Sequence, residues 1–221
     1  MAPKSKPSQE VKIDEVFYYI PNIIGYTRIL LVGISLYYMK GNPLVFAISY
    51  MISCALDALD GFAARYFNQC SKFGAVLDMV TDRCTTTCLL CYLAAVYEPY
   101  SIFFQFLISL DISSHYMHMY SSLTSGATSH KQVDENQNFL LRAYYHNKVV
   151  LFLVCGFNEL FFVGLYLMHE DQYSAYNYLY YWLTCSMAPF FIFKNVLNVI
   201  QFMEASKSLA RVDVIERSKK N

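Results

Sequence analysis

Asp57, Asp60, Asp78 and Asp82 lie inside stretches that are otherwise apolar. A charged side chain at mid-bilayer costs about 2.5–3.5 kcal/mol on insertion scales, so acids in such stretches need a reason to be there. Their spacings of three and four place each pair on one face of a helix. Four carboxylates gathered in a low dielectric cannot all stay ionised without cations. Two divalent ions supply four positive charges, and hard oxygen ligands suit Mg²⁺, which takes carboxylates together with substrate phosphates. The alternative is neutralisation by protons or by Arg65, Arg83 or Lys72. Those three cations stand at different heights and do not easily satisfy four acids on one seam. Gly61 and Ala64 follow Asp60 on roughly the same side and leave room for a bulky ligand. Arg65 offers a bidentate phosphate donor at the helix end. Gly74, one turn before Asp78, reads as a helix-packing glycine.

The elements that must position these residues follow from composition. Of 221 residues, 56% are hydrophobic and 15% charged, against about 45–50% and about 25% in a soluble domain. Crossing a hydrocarbon core takes roughly 20 helical residues. Apolar runs of that size cover Pro21–Met39, Pro43–Phe67, Phe73–Tyr97, Tyr100–Ser122, Lys148–Met168 and Tyr178–Met203. The expectation is an all-α integral membrane protein with six transmembrane helices in one domain, residues 1–221, with a polar N-terminal arm over 1–12 and a polar cytosolic tail over 204–221. The one long break, Leu123 to Asn147, includes an aromatic stretch, Ala143-Tyr144-Tyr145, expected at the interface. The short break between the second and third runs predicts antiparallel neighbours. A rise of 1.5 Å per residue sets the two acid pairs level, roughly 8–15 Å from the cytosolic helix ends.

Seventeen basic residues balance seventeen acidic ones, which argues against a nucleic-acid binder with a large basic surface. Outside the spans, only Lys40 lies on one side, whereas Lys4, Lys6, Lys12, Arg65, Lys72, Lys131, Arg142, Lys148 and the basic residues from Lys207 to Lys220 lie on the other. The positive-inside rule then puts both termini in the cytosol. No signal peptide is expected. Seven cysteines, nearly all in apolar runs, do not suggest a disulfide framework. Cys84, Cys88 and Cys91 share a face and read as packing groups. Asp111, His115 and His118 share another and read as a hydrogen-bond cluster between helices rather than a metal site. Lys194 is expected to snorkel to the cytosolic interface. Arg83 either reaches a bound polyol or pairs with another helix. Tyrosines near span ends read as interfacial anchors.

Taken together, Asp57-x2-Asp60-Gly61-x2-Ala64-Arg65-x8-Gly74-x3-Asp78-x3-Asp82 fixes eight residues over 26 positions. This pattern resembles the signature of the CDP-alcohol phosphatidyltransferase family. The resemblance implies a six-helix bundle, usually a homodimer, with two divalent cations, Mg²⁺ or Mn²⁺, per site. It implies that Asp57, Asp60, Asp78 and Asp82 are metal ligands, that Asp82 is the catalytic base, and that Gly61, Arg65 and Ser71 contact CDP-diacylglycerol. Pro21-Asn22-x4-Thr27-Arg28 is similar to the family's first-helix segment that closes over the nucleotide. Asp78–Cys84, Leu110–His118, Ser129-His130-Lys131 and Asn158–Phe162 resemble the eukaryotic members that use inositol, a likeness running from Pro21 to Phe202. That implies transfer of a phosphatidyl group from CDP-diacylglycerol to myo-inositol with release of CMP, among membrane lipids of the endoplasmic reticulum and at its cytosolic face. Transfer to glycerol phosphate or serine, and an ion-coupled transporter, remain alternatives.

Overall fold

The structure is a computed structural model that describes residues 13–124, 139, 141, 144, 147–171 and 174–218. The expectations for the arm over 1–12, for Ser129-His130-Lys131, for Ala143 and Tyr145, and for Lys219 to Asn221 lie outside the described residues. A short helix α1 (Ile13–Phe17) leads into six long ones: α2 (Ile20–Tyr38), α3 (Pro43–Tyr66), α4 (Lys72–Val96), α5 (Ser101–Thr124), α6 (Lys148–Glu170) and α7 (Asn177–Ser218). Their ends carry ordinary start signals. Asn42, Ser71 and Asn147 each accept a backbone N–H at the start of α3, α4 and α6, and Pro21 and Pro43 sit in the first turns of α2 and α3. Asn68, with φ of 55°, provides the left-handed residue after α3. Gln69 N then donates to Ala64 O at 2.9 Å, closing the turn into α4.

By length and composition α2, α3, α6 and α7 are able to cross a membrane. The expectation of six spans is met at four. The helices α4 and α5 fall short on apolarity because one carries Asp78, Asp82, Arg83 and a threonine run, and the other Asp111, His115, His118 and several serines. The surface shows why the bundle belongs in lipid. Leu30, Ile102 and Trp182 are 69%, 83% and 56% exposed, while Arg28, Asp60, Asp111, Lys194 and Gln201 are buried. That inverts the usual soluble arrangement.

Packing separates an apolar end from a charged end. Met39, Phe46, Tyr50, Leu89, Leu93, Phe104, Phe162, Tyr166 and Phe191 form one core. They come from the end of α2, the start of α3, the end of α4, the start of α5 and the facing parts of α6 and α7. Tyr166 Oη donates to Met39 O at 2.5 Å and Tyr97 Oη to Leu165 O at 2.9 Å, tying that end together. The acids occupy the opposite end.

The antiparallel-neighbour expectation for α3 and α4 needs correction. These helices scarcely touch, because α2 packs along both of them. It fits between them through small residues. A Cβ on Gly25 would stand 3.2 Å from Leu77 Cδ2, and one on Gly74 would stand 2.7 Å from Asn22 Oδ1. Asn22 cannot easily give way. It is 1% exposed and its Nδ2 donates to Val16 O at 2.5 Å, holding α1 against the bundle. Phe17 adds an edge-on contact to Phe73, with ring centroids 4.9 Å apart.

Gly74→Ala is expected to cost about 1–3 kcal/mol through this overpacking and to release Asn22 from Val16. Thermal unfolding in detergent reads the first effect, and faster amide exchange over residues 13–17 reads the second. A Gly74→Ala protein with unchanged exchange there would show that Asn22 has room to move.

Candidate active site

Two helices bring the acids and a third brings the cation. Asp57 and Asp60 lie near the end of α3, Asp78 and Asp82 near the start of α4, and Arg28 of α2 reaches between them. Its Nη1 donates to Asp60 Oδ2 at 2.8 Å and to Asp78 Oδ1 at 3.0 Å. The same nitrogen lies 2.9 Å from Asp57 Oδ1, but without the alignment of a hydrogen bond, leaving that buried oxygen without a hydrogen-bond partner. Nη2 donates to Asp82 Oδ1. Ser53 Oγ, also buried, donates to the Arg28 carbonyl at 3.2 Å and fixes this stretch of α2 to α3. All four predicted ligands are therefore gathered around one guanidinium. Arg28 is the partner that inspection of Arg65, Arg83 and Lys72 missed. The signal was present, since an arginine seven residues inside an apolar run needs a counter-charge as much as an aspartate does.

A cation suits this place better than the arginine does. Oxygens of Asp57, Asp60 and Asp78 all lie within 4.8 Å of one another and can hold a metal ion. Nη1 has two protons and faces three carboxylates, while Arg28 Nε is buried with no hydrogen-bond partner. A spherical ion has no such limit on the number of oxygens it contacts, and an all-oxygen donor set suits a hard divalent cation. Asp82 lies outside that trio, on the other guanidinium nitrogen, with its side chain 30% exposed against 10% for Asp60.

Beside the acids opens a groove lined by Asp60, Gly61, Ala64, Arg65, Ser71, Gly74 and Asp78, with Pro21, Asn22 and Gly25 as its α2 wall. Gly61, Arg65 and Ser71, predicted as lipid-nucleotide contacts, all reach it. A Cβ at Gly61 would meet only the Arg65 guanidinium, 3.5 Å away at its nearest. Packing of the protein therefore does not demand a glycine there. Ser71 is already the N-cap of α4, its Oγ accepting from Gly74 N at 2.9 Å, which leaves its hydroxyl proton free to donate. Gln69 Oε1 accepts Ile20 N at 2.9 Å and pins the groove's rim to α2.

A second polar cluster adjoins Asp82. Arg83 pairs with another helix: its Nη1 donates to both Asp111 oxygens at 2.6 and 2.7 Å, while its Nη2 lies 3.6 Å from Asp82 Oδ2. Asn198 Nδ2 from α7 donates to Asp111 Oδ1 at 3.1 Å. This is the interhelical hydrogen-bond cluster expected of Asp111. His115 joins it, with Nδ1 2.8 Å from Asp111 O. Lys194 corrects its expectation. It does not snorkel but is 5% exposed, because an acceptor one turn on along its own helix lies inside the bundle: its Nζ donates to Asn198 Oδ1 at 2.6 Å. Glu159 of α6, unweighed in the sequence, accepts from Tyr50 Oη at 2.6 Å and Thr86 Oγ1 at 3.0 Å, joining α3, α4 and α6. The seven cysteines are all free thiols; of the three that share a face, Cys88 is half-buried and Cys84 and Cys91 are exposed.

Fold and site together define a helical protein with helices apolar enough to cross a membrane and a carboxylate cluster, able to hold a metal ion, at the edge of a groove. The family model for CDP-alcohol phosphatidyltransferases matches residues 18–190, and the chain belongs to that family. It is 49% identical to the CDP-diacylglycerol–inositol 3-phosphatidyltransferase of Candida albicans, over 99% of this chain and 93% of that one. The Saccharomyces cerevisiae protein of that name is 45% identical over 100% and 99% of the two chains, and the Homo sapiens protein 42% over 94% and 98%. No solved structure matches the chain.

Removing Arg83 strands Asp111 among buried groups. Arg83→Met is expected to destabilise the protein by about 3–5 kcal/mol, and Arg83→Met with Asp111→Leu to recover most of it. Thermal unfolding of the two variants checks this. A double variant no more stable than the single one would show that the pair does not act as a unit.

Proposed function

We propose that the chain transfers the phosphatidyl group of CDP-diacylglycerol to myo-inositol, releasing CMP. The observation that carries this reading is the convergence of Asp57, Asp60, Asp78 and Asp82 beside a groove lined by Gly61, Arg65 and Ser71. The acceptor alcohol comes from the relatives named for inositol, at 42–49% identity over nearly the whole chain.

In this reading the four aspartates hold two divalent cations, Mg²⁺ or Mn²⁺. Such ions supply charge neutralisation for the diphosphate and electrophilicity at the lipid-bearing phosphorus. The protein's own groups position and protonate. Arg65 donates to a phosphate from the groove's rim, Gly61 leaves backbone bare for close approach, and Ser71 offers its hydroxyl proton. Asp82 accepts the proton of the inositol hydroxyl as that oxygen bonds to phosphorus and the bond to CMP breaks. A carboxylate fully engaged by metal is a weak base, and Asp82's position outside the tightest trio supports giving it this task. A hydroxyl-rich acceptor also needs buried donors and acceptors. Arg83, Asp111 and Asn198 stand next to Asp82 and supply both kinds.

The same reading makes α4 and α5 the remaining two of six crossings. Their 25 and 24 residues span about 36 Å at 1.5 Å per residue. Facing polar groups inward lets them cross despite their composition. The bundle acts as one domain over 1–221 and as a homodimer in the endoplasmic reticulum membrane, with both termini and the site on the cytosolic side. The one-sided distribution of lysine and arginine supports that orientation.

The test is CMP release by purified protein given CDP-diacylglycerol and Mg²⁺ or Mn²⁺. Release on adding myo-inositol, abolished by chelation and restored by metal, is expected. Release only with another alcohol sinks the inositol assignment, and no release with any alcohol favours transport. Asp82→Asn is expected to lower turnover by at least about 10³-fold while the protein still binds CDP-diacylglycerol. Substantial remaining turnover removes Asp82 from the role of base. Arg65→Ala is expected to raise the KM for CDP-diacylglycerol more than it lowers kcat.

A further inference from the structure

Arg28 is fitted poorly by the groups it touches, and that misfit has a consequence. Its side chain is 3% exposed among four carboxylates, yet Nε has no hydrogen-bond partner. Nη1 can align its two protons on only two of the three oxygens lying 2.8, 2.9 and 3.0 Å away, so Asp57 Oδ1 is left without one. One positive charge faces four formal negative ones. Arg28 thus occupies the centre of a donor set that suits a divalent ion, and both cannot occupy it at once.

We propose that Arg28 is the site's resident counter-cation, holding the four carboxylates together in the metal-free protein and giving up its place when a divalent cation binds. Without it, two acid pairs on α3 and α4 would repel across a buried gap. With it, α2 is drawn between them and the site is pre-assembled. Metal entry replaces one charge by two or more and satisfies Asp57 Oδ1. The guanidinium then leaves along its own helix face. That face carries Gly25, three residues earlier, which lines the groove together with Pro21 and Asn22. Leu77 Cδ2 stands over Gly25, so a flexible side chain rather than backbone has to shift as the guanidinium passes. Metal affinity is therefore set by competition: the metal must outbid an ion pair already made, and the apparent affinity is lower than the carboxylates alone would give.

This rests on the reading of the aspartates as metal ligands, so the experiment separates the two. The full chain, purified and stripped of metal, is titrated with Mn²⁺ while free Mn²⁺ is followed by electron paramagnetic resonance. Arg28→Ala is expected to bind Mn²⁺ roughly tenfold more tightly than the natural chain, to unfold at lower temperature without metal, and to gain more from Mn²⁺. Asp57→Asn is the control for the ligand reading. If it keeps the natural affinity and stoichiometry, the metal-site assignment fails. If it loses Mn²⁺ but Arg28→Ala binds no tighter than the natural chain, the competition proposed here is overturned. A second measurement needs no variant. Phenylglyoxal labelling of the natural chain, read by peptide mass spectrometry, should spare Arg28 without metal and modify it once Mn²⁺ saturates the site. An Arg28 equally protected with Mn²⁺ bound overturns the proposal even if Arg28→Ala does not fold.

Discussion

Uncompensated charge in a low dielectric is the constraint around which this bundle is organised. Four aspartates within reach of one buried guanidinium carry more negative charge than it can neutralise, so every neighbouring choice has to keep the cation present and the helices close. The helix that carries Arg28 is inserted between the two that carry the acids. Gly25 and Gly74 let it approach, Ser53 ties it down at the arginine's carbonyl, and Asn22 anchors its start. None of these contacts would be needed if α3 and α4 met directly along an apolar seam.

The division of the molecule into two ends follows. Aromatic and aliphatic side chains fill the end away from the acids, where helix ends can be locked by tyrosine hydroxyls on carbonyls. At the other end, small residues and polar pairs replace bulky packing, which leaves space for a groove. Lipid tails are as apolar as a leucine side chain, so association in the membrane cannot rely on burying hydrophobic surface alone. Close packing and interhelical hydrogen bonds take over that task. Glu159 illustrates it by engaging Tyr50 and Thr86, one on each of two other helices.

Much of this is legible in the chain. The ends of α2 through α6 lie within two residues of the apolar runs, because the hydrocarbon thickness sets both. The end of α7 lies fifteen residues beyond Met203, at Ser218. There the membrane stops but the helix continues, carrying pairs such as Glu204–Lys207 at 3.0 Å, and apolarity marks only the first of those limits. The aspartate pattern set the four acids at one level, and the structure gathers them there around Arg28. The pattern did not give Arg28's place or the fate of Lys194. Periodicity shows which residues share a face, but not which helix that face meets, and loop length suggested α4 as the partner of α3 when the packing placed α2 there. A general rule covers both misses: each intramembrane charge, basic as well as acidic, implies a partner that has to be found before its role is assigned.

Asp82 shows why that accounting matters for chemistry. It belongs to the acid cluster through Arg28, and through Arg83 it borders the Asp111 and Asn198 cluster on the far side. A carboxylate held only by metal would lose basicity, and one held only by the second cluster would lie away from the phosphates. Between two guanidiniums, with a third of its side chain open to the surroundings, it can touch a phosphorus-bound site on one oxygen and an incoming hydroxyl on the other. The three remaining aspartates face one another across Arg28 Nη1, and none of them is paired with Arg83. The four aspartates are chemically identical, and what sets Asp82 apart among them is its place between two arginines.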